Sequence, residues 1–242
     1  MPITKKLELY SYDANPDGTV KIPVLMKHFQ QIAREDLLTY GITYNMMRDY
    51  DQVFVIIKLK IEFKKQISIY DELYLRTVPT MVVGITFYRD FFITDADGSL
   101  CAIASSAWVL MNYKTRHIIK PRDIVAPIPE YPDEASDIIL TRRFPSIDSP
   151  ISQKTNVRKV YFSNLDENNH FNNTETAAFA IDEISDRIIQ GDRISSIEIH
   201  FNHESRLGEE IIISTTESPT ASLLSAKNPV YDAIAFECYI TY

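Results

Sequence analysis

Residues 57–63 read IKLKIEF and residues 197–204 read IEIHFNHE, and in both segments apolar and polar residues alternate with a period of two. Leu59, Ile61 and Phe63 fall on one side and Lys58, Lys60 and Glu62 on the other, while Ile197, Ile199 and Phe201 alternate with Glu198, His200 and Asn202. Successive side chains leave opposite faces of a strand, so this period predicts a half-buried β-strand. A helical period precedes each segment. Between Pro23 and Tyr40, Leu25, Phe29, Ile32, Ala33 and Leu37 share one face and Gly41 ends the run, and later Ala177, Ile181, Ile184 and Ile188 mark a second helix. Helix followed by alternating strand thus occurs twice, with the copies sharing pattern more than identity. A duplicated α+β domain is the economical explanation.

Three more strand-like runs follow the first segment, Glu72 to Val78, Gly84 to Thr94 and Leu100 to Tyr113, with a turn at Asp95-Ala96-Asp97-Gly98. In the second copy the later strands are Glu209 to Glu217 and Tyr231 to Tyr242, with Thr220 to Leu224 undecided between them. The stretch from Pro121 to Pro150 holds six prolines and scattered charges, which suits a connection running over the surface. The expected organisation is an N-terminal domain at 1–125, a linker at 126–150 and a C-terminal domain at 151–242. A sheet that wraps one long helix leaves its edge unpaired, and two such units side by side would remove that exposure, so a pseudo-dimer is expected. Helix-plus-meander patterns by themselves fit several α+β folds.

With 242 residues and 45% apolar content, the chain can bury the core of one large domain or two small ones. No apolar run reaches the ~18 residues of a membrane span, and the start MPITKKLELYSYD lacks the apolar core of a secretory signal, so no stable membrane insertion and a cytoplasmic protein are expected. Cys101 and Cys238 are too few for a disulfide framework and offer no paired metal motif, and the histidines repeat no metal spacing, so neither metal nor cofactor is expected. The net charge of -8 disfavours a nucleic-acid partner, because phosphates require a dense basic surface.

The densest polar cluster runs from Asp166 to Asn173, immediately before the second helix. Asn and Asp cap helices and form tight turns, so on chemistry alone a structural role is the commoner one. Yet Asp166, Asn168 and His170 stand at alternate positions, and in an extended segment a carboxylate, an amide and an imidazole would converge. Such a trio has the parts for hydrolysis: an imidazole to move protons, an amide to meet an oxyanion and a carboxylate to orient or activate. Glu204 ends the alternating strand in Asn202-His203-Glu204-Ser205, where an acid is ordinarily a solvated strand terminus.

These residues carry a resemblance to a known family. The stretch RKVYFSNLDENNHFNNTETAAFAIDEI (158–184) resembles the acyl-acyl carrier protein thioesterases, in which Asp-x-Asn-x-His-Val-Asn-Asn opens the helix of the second of two tandem hot dog domains; Phe171 stands in place of Val. SIEIHFNHES (196–205) is similar to the strand that brings the family's catalytic Glu and a following Cys, here Glu204 and Ser205. HFQQIAREDLLTYGI (28–42) and SSAWVLMNYKTRHIIKP (105–121) resemble the helix and last strand of the family's first domain, so the likeness spans nearly the whole chain.

The resemblance implies two tandem hot dog domains, each a long helix wrapped by an antiparallel sheet, and hydrolysis of acyl-carrier-protein thioesters that releases free fatty acid in fatty acid biosynthesis. It implies that Asp166, Asn168, His170 and Glu204 form the catalytic site of the second domain. In that reading Glu204 and His170 deprotonate water, Asn168 holds the thioester carbonyl and Asp166 orients the network, with an acyl-enzyme on Asp166 as the rival route. Ser205 departs from the family pattern, which water activation tolerates and a thiol nucleophile would not. The first domain would shape the acyl pocket, with Met26, Phe29, Phe54 and Ile56 as candidate substrate-binding residues. The implied partner is acyl carrier protein, an acidic molecule for which Lys64, Lys65, Arg142, Arg143, Arg158 and Lys159 are candidate contacts. A second copy of the chain, as a homodimer, is a further candidate partner. The competing readings are an acyl-coenzyme A thioesterase on the same scaffold and a non-catalytic acyl-binding hot dog protein.

Overall fold

A computed structural model of the chain describes residues 2–126 and 135–242. It divides into two compact units, Met1–Leu140 and Thr141–Tyr242. Part of the expected linker, residues 127–134, lies outside the described residues.

In the first unit β1 (Thr4–Lys6) precedes the 18-residue helix α1 (Ile22–Thr39), the short α2 (Tyr44–Asp49) and four long strands: β2 (Gln52–Phe63), β3 (Leu73–Val83), β4 (Thr86–Asp95) and β5 (Leu100–Asn112). These strands pair antiparallel in the order β1-β3-β4-β5-β2. Pro23 sits in the first turn of α1, where its missing N–H costs nothing, and Gly41 takes φ 75 just beyond the last turn. The apolar stripe of α1 buries Leu25, Met26, Phe29, Ile32 and Ala33, and the Phe29 ring stacks on Phe91 of β4 at 4.7 Å. Burying each of the four larger of these side chains contributes about 1.5–3 kcal/mol. Helix α2 went unread in the sequence; its signal is Thr43, whose Oγ1 accepts from Met46 N at 3.0 Å as an N-cap.

A β-bulge adjusts the alternation of β2. Ile56 lies opposite Trp108 and Lys58 opposite Ala107, so Ile57 is the extra residue. The buried positions accordingly change parity, from Ile56 before the bulge to Leu59 and Ile61 after it.

The second unit contains β6 (Ser152–Lys159), α3 (Asn173–Glu183), α4 (Ser185–Ile189), β7 (Ser196–Phe201), β8 (Glu210–Glu217), β9 (Ala221–Asn228) and β10 (Ala233–Thr241). Its strands pair antiparallel in the order β7-β10-β9-β8-β6, so the undecided stretch near Leu224 is a strand and an unanticipated strand stands at 152–159. The helix marked by Ala177 to Ile188 is two pieces. At Ile184 φ is -111, and the Ser185 hydroxyl takes the Asp182 carbonyl at 2.9 Å, competing with the helical ladder. Just before the break, buried Glu183 accepts from Asn156 Nδ2 at 2.5 Å and Arg158 Nε at 3.0 Å, fastening α3 to β6.

The proline-rich connection is held by buried side chains where it is described. Gln52 donates to Asp123 O and accepts from Val125 N, both at 2.9 Å, and Asp90 Oδ2 accepts from Ser136 N at 2.7 Å. In the second unit Glu198 Oε1 accepts from Thr141 N at 2.7 Å, from the Thr141 hydroxyl at 2.9 Å, and lies 3.0 Å from His200 Nε2. Phe144 stacks on the His200 ring at 4.1 Å. Glu198 and His200 are therefore buried although alternation assigns them to the polar face of β7, because the chain near Thr141 covers that face.

Candidate active site

The segment from Asp166 to His170 is a turn, which corrects the extended geometry read from its alternate spacing. Asp166 N–H donates to His170 O at 2.8 Å, Asn169 N–H donates to Asp166 O at 3.1 Å, and Asn169 adopts φ 60, a conformation that Asn tolerates. Asp166 Oδ1 accepts the N–H groups of Asn168 at 2.8 Å and His170 at 3.0 Å. Asn172 caps α3, its Oδ1 accepting from Thr174 N at 2.9 Å. Asp166, Asn169 and Asn172 thus serve the turn-and-cap chemistry that such residues ordinarily serve. The exposed Asn168 and the half-buried His170 are presented by it.

Glu204 lies just past the end of β7, and its Oε2 stands 3.3 Å from His170 Nε2. The two side chains keep 29% and 25% of their surface open, enough for a ligand or water to reach both. Between them runs a backbone tie, since Phe171 N–H donates to Ser205 O at 2.8 Å. Phe171, in the position of the family's Val, is buried and packs against Phe179 of α3 at 4.9 Å. The fold therefore brings an imidazole and a carboxylate together from segments separated by two helices and a strand. Such a pair can accept a proton from a water or hydroxyl held between them and pass it on.

Two groups tied to Ser205, Asn228 and Glu209, escaped the sequence reading of the site. Ser205 is buried and its Oγ accepts from Asn228 Nδ2 at 3.0 Å, while Asn228 also donates to Glu209 Oε2 at 2.7 Å. Burial alone would raise the Glu209 carboxyl, but hydrogen bonds from Arg206 N–H, Asn228 and Tyr231 hold it below its ordinary value. The same bond to Glu209 is the main cause that raises the Tyr231 phenol. A lone Asn ending a strand gives no periodic signal, so only the fold connects Asn228 to Glu204.

The first unit repeats this frame without its chemistry. Asn15 N–H donates to Thr19 O at 2.7 Å, Gly18 N–H donates to Asn15 O at 2.9 Å with Gly18 at φ 81, and Val20 N–H donates to Ile67 O at 2.9 Å. These bonds match those of Asp166, Asn169 and Phe171 one for one, which places Asn15, Asp17, Thr19 and Gln66 where the second unit has Asp166, Asn168, His170 and Glu204. Neither an imidazole nor a partner carboxylate stands at the last two positions.

The residues expected to bind the acyl chain all lie in the first unit. Met26, Phe29 and Ile56 are buried in its core, and Phe54 meets Phe87 edge-on at 5.1 Å beside Met47 and Leu110. Of the basic candidates, Lys64 pairs with Glu62 at 3.2 Å, Lys65 with Asp95 at 2.6 Å and Arg158 with buried Glu183 at 3.0 Å. Arg142, Arg143 and Lys159 are exposed. Among the described residues no group of three or more His, Cys, Asp or Glu side chains is placed to hold a metal ion, and no helix is long and apolar enough to cross a membrane.

Comparison with known proteins agrees with both halves of the chain. The family model described as the acyl-ACP thioesterase N-terminal domain matches residues 2–128, and that of the C-terminal domain matches residues 148–232. Acyl-[acyl-carrier-protein] hydrolase FATB2, chloroplastic, of Cuphea viscosissima is 24% identical over 224 residues, covering 87% of this chain and 53% of that protein. Oleoyl-acyl carrier protein thioesterase 2, chloroplastic, of Arabidopsis thaliana is 23% identical over 240 residues, covering 92% of this chain and 65% of that one. The chain thus spans between about half and two thirds of these relatives. Among solved structures, an acyl-ACP thioesterase from Bacteroides thetaiotaomicron superposes with a TM-score of 0.78 at 20% identity, covering 99% of this chain and 97% of that one. The 12:0-ACP thioesterase from Umbellularia californica gives 0.83 at 18%, covering 99% and 96%. The shared architecture is the α+β hot dog fold.

Proposed function

Because this chain belongs to the acyl-ACP thioesterase family, we propose that it hydrolyses the thioester of acyl carrier protein, releasing free fatty acid and ending chain elongation. The observation that carries the reading is the His170 Nε2 to Glu204 Oε2 approach of 3.3 Å, with both groups partly open to solvent. In this mechanism the pair takes a proton from water, the water oxygen bonds to the acyl carbon and the carbon–sulfur bond breaks. The proton returns to the departing thiolate through His170. Asn168 meets the developing oxyanion. Asp166 acts as a positioning residue, because one of its oxygens already accepts two backbone N–H groups that shape the turn presenting His170. The first unit, whose equivalent turn lacks the imidazole, supplies the acyl-binding side chains Met26, Phe29, Phe54 and Ile56.

The test is hydrolysis of medium and long acyl chains on acyl carrier protein and on coenzyme A by the wild type, Glu204→Ala and His170→Ala. General acid–base groups contribute about 10²- to 10⁴-fold, so each variant is expected to lose that much in kcat. Wild-type turnover confined to coenzyme A substrates would replace the carrier-protein reading, and variants as active as the wild type would place the chemistry elsewhere.

A further inference from the structure

The loop carrying Glu204 is anchored by a residue far along the chain. Asn228 ends β9 and has no exposed surface. Its side-chain amide is engaged on both ends: Nδ2 donates to Ser205 Oγ at 3.0 Å and to Glu209 Oε2 at 2.7 Å, and Oδ1 accepts from Val230 N at 3.0 Å. Glu209 in turn receives Arg206 N–H at 2.9 Å and the Tyr231 hydroxyl at 3.0 Å. Both ends of the 205–209 loop are therefore tied to the end of β9. At the loop's start, Ser205 O accepts from Phe171 N, one residue after His170. Ser205 is thus the junction between three segments, and the backbone at its neighbour Glu204 cannot shift away from the His170 turn without unpairing a buried amide, which costs about 1–3 kcal/mol.

We propose that Asn228 is a positioning residue for hydrolysis, setting the Glu204 carboxylate against the His170 imidazole through Ser205, and that Ser205 serves as its hydrogen-bond acceptor and not as a nucleophile. The proposal rests on the hydrolase reading above. A hydroxyl accepts a hydrogen bond better than sulfur does, which suits the Ser205 side chain to the Asn228 amide that it faces. Displacing a reacting group by about 1 Å costs on the order of 10²-fold in rate, so the anchor is felt in kcat.

The experiment measures steady-state hydrolysis of acyl-carrier-protein thioester by the full chain as wild type, Asn228→Leu, Ser205→Ala and Ser205→Cys, together with hydrogen exchange at the Phe171 amide. Asn228→Leu and Ser205→Ala are expected to lose about 10- to 100-fold in kcat with KM within about 2-fold, and to exchange the Phe171 amide faster. Ser205→Cys, whose sulfur still accepts weakly, is expected to recover part of the loss. Ser205→Ala carries the test if Asn228→Leu does not fold. An active wild type with Ser205→Ala at full kcat overturns the positioning role and leaves the hydrolase reading standing. A loss beyond about 10⁴-fold in Ser205→Ala overturns it in favour of a serine nucleophile. If the wild type turns over no thioester the hydrolase reading falls, and unchanged Phe171 exchange in both variants would separately remove the anchor.

Discussion

Arg89→Met is expected to destabilise the first unit by about 3–5 kcal/mol, the usual cost of removing one partner from a buried ion pair. Arg89 Nη1 on β4 donates to Asp36 Oδ2 on α1 at 2.8 Å and to Thr77 Oγ1 on β3 at 3.0 Å, with side-chain exposures of 8% for Arg89 and 0% for Asp36. Asp36 Oδ1 has no hydrogen-bond partner among the described residues, so the carboxylate depends on the guanidinium. Thr77 keeps its bond to Asp90 O at 3.2 Å after the change, so its hydroxyl is not stranded along with the carboxylate. Against a total of about 5–15 kcal/mol such a loss is large, and for a chain of this size it lowers Tm by about 6–20 °C. The pair spans helix and sheet, so the effect belongs to packing and not to either element alone. Thermal and urea unfolding followed by circular dichroism measure it, and the double variant Asp36→Leu/Arg89→Met supplies the comparison. With both charges gone the desolvation penalty goes too, and the double variant is expected within about 1 kcal/mol of the wild type. A cost below about 1 kcal/mol for Arg89→Met, or a double variant no more stable than the single, would refute the argument.

In labelled water under single-turnover conditions, label is expected in the released fatty acid and not in the Asp166 carboxylate; label on Asp166 would establish an anhydride and the acyl-enzyme route. Glu209 has a folded-state pKa held below its ordinary value of 4.5, so its stabilising contribution is present above that value and is lost as pH falls through the lower, folded one. Glu209→Gln should therefore show a shallower fall in Tm than the wild type between about pH 5 and pH 3, and parallel curves would sink the idea. Burial lowers the pKa of half-buried His28 from 6.5 against the opposing charges of Asp13 and Glu8. Stability is present above 6.5 and lost as pH falls toward the folded value, because only the unfolded chain takes the proton readily. His28→Gln should thus narrow the Tm difference between about pH 7.5 and pH 5.5. If the exposed Arg142, Arg143 and Lys159 steer an acidic carrier protein, replacing all three with Ser should raise KM for the carrier-bound substrate and weaken its salt dependence. A KM unchanged by salt in the wild type would remove steering from the account.

Much of this molecule is determined by neighbours in the sequence. The alternation of Leu59, Ile61 and Phe63 makes a strand, the stripe from Leu25 to Ala33 makes a helix, and the repetition of both makes two units, because strand and helix periods are local consequences of backbone geometry. The Asp166 to Asn173 motif is likewise local, since its turn and cap bonds reach no more than four residues. Periodicity tells which way a side chain points and not what covers that face. Glu198 and His200 are polar on an outer face, yet buried, because Thr141 and Phe144 lie over them. The alternate spacing of Asp166, Asn168 and His170 suggested an extended segment, where the backbone in fact closes on itself at Asn169. Only the folded chain decides that Glu204 meets His170 across 34 positions and that Asn228 reaches Ser205 across 23. Those pairings are set by strand order and register, which depend on the free energy of the whole packed sheet and on no single residue's preference.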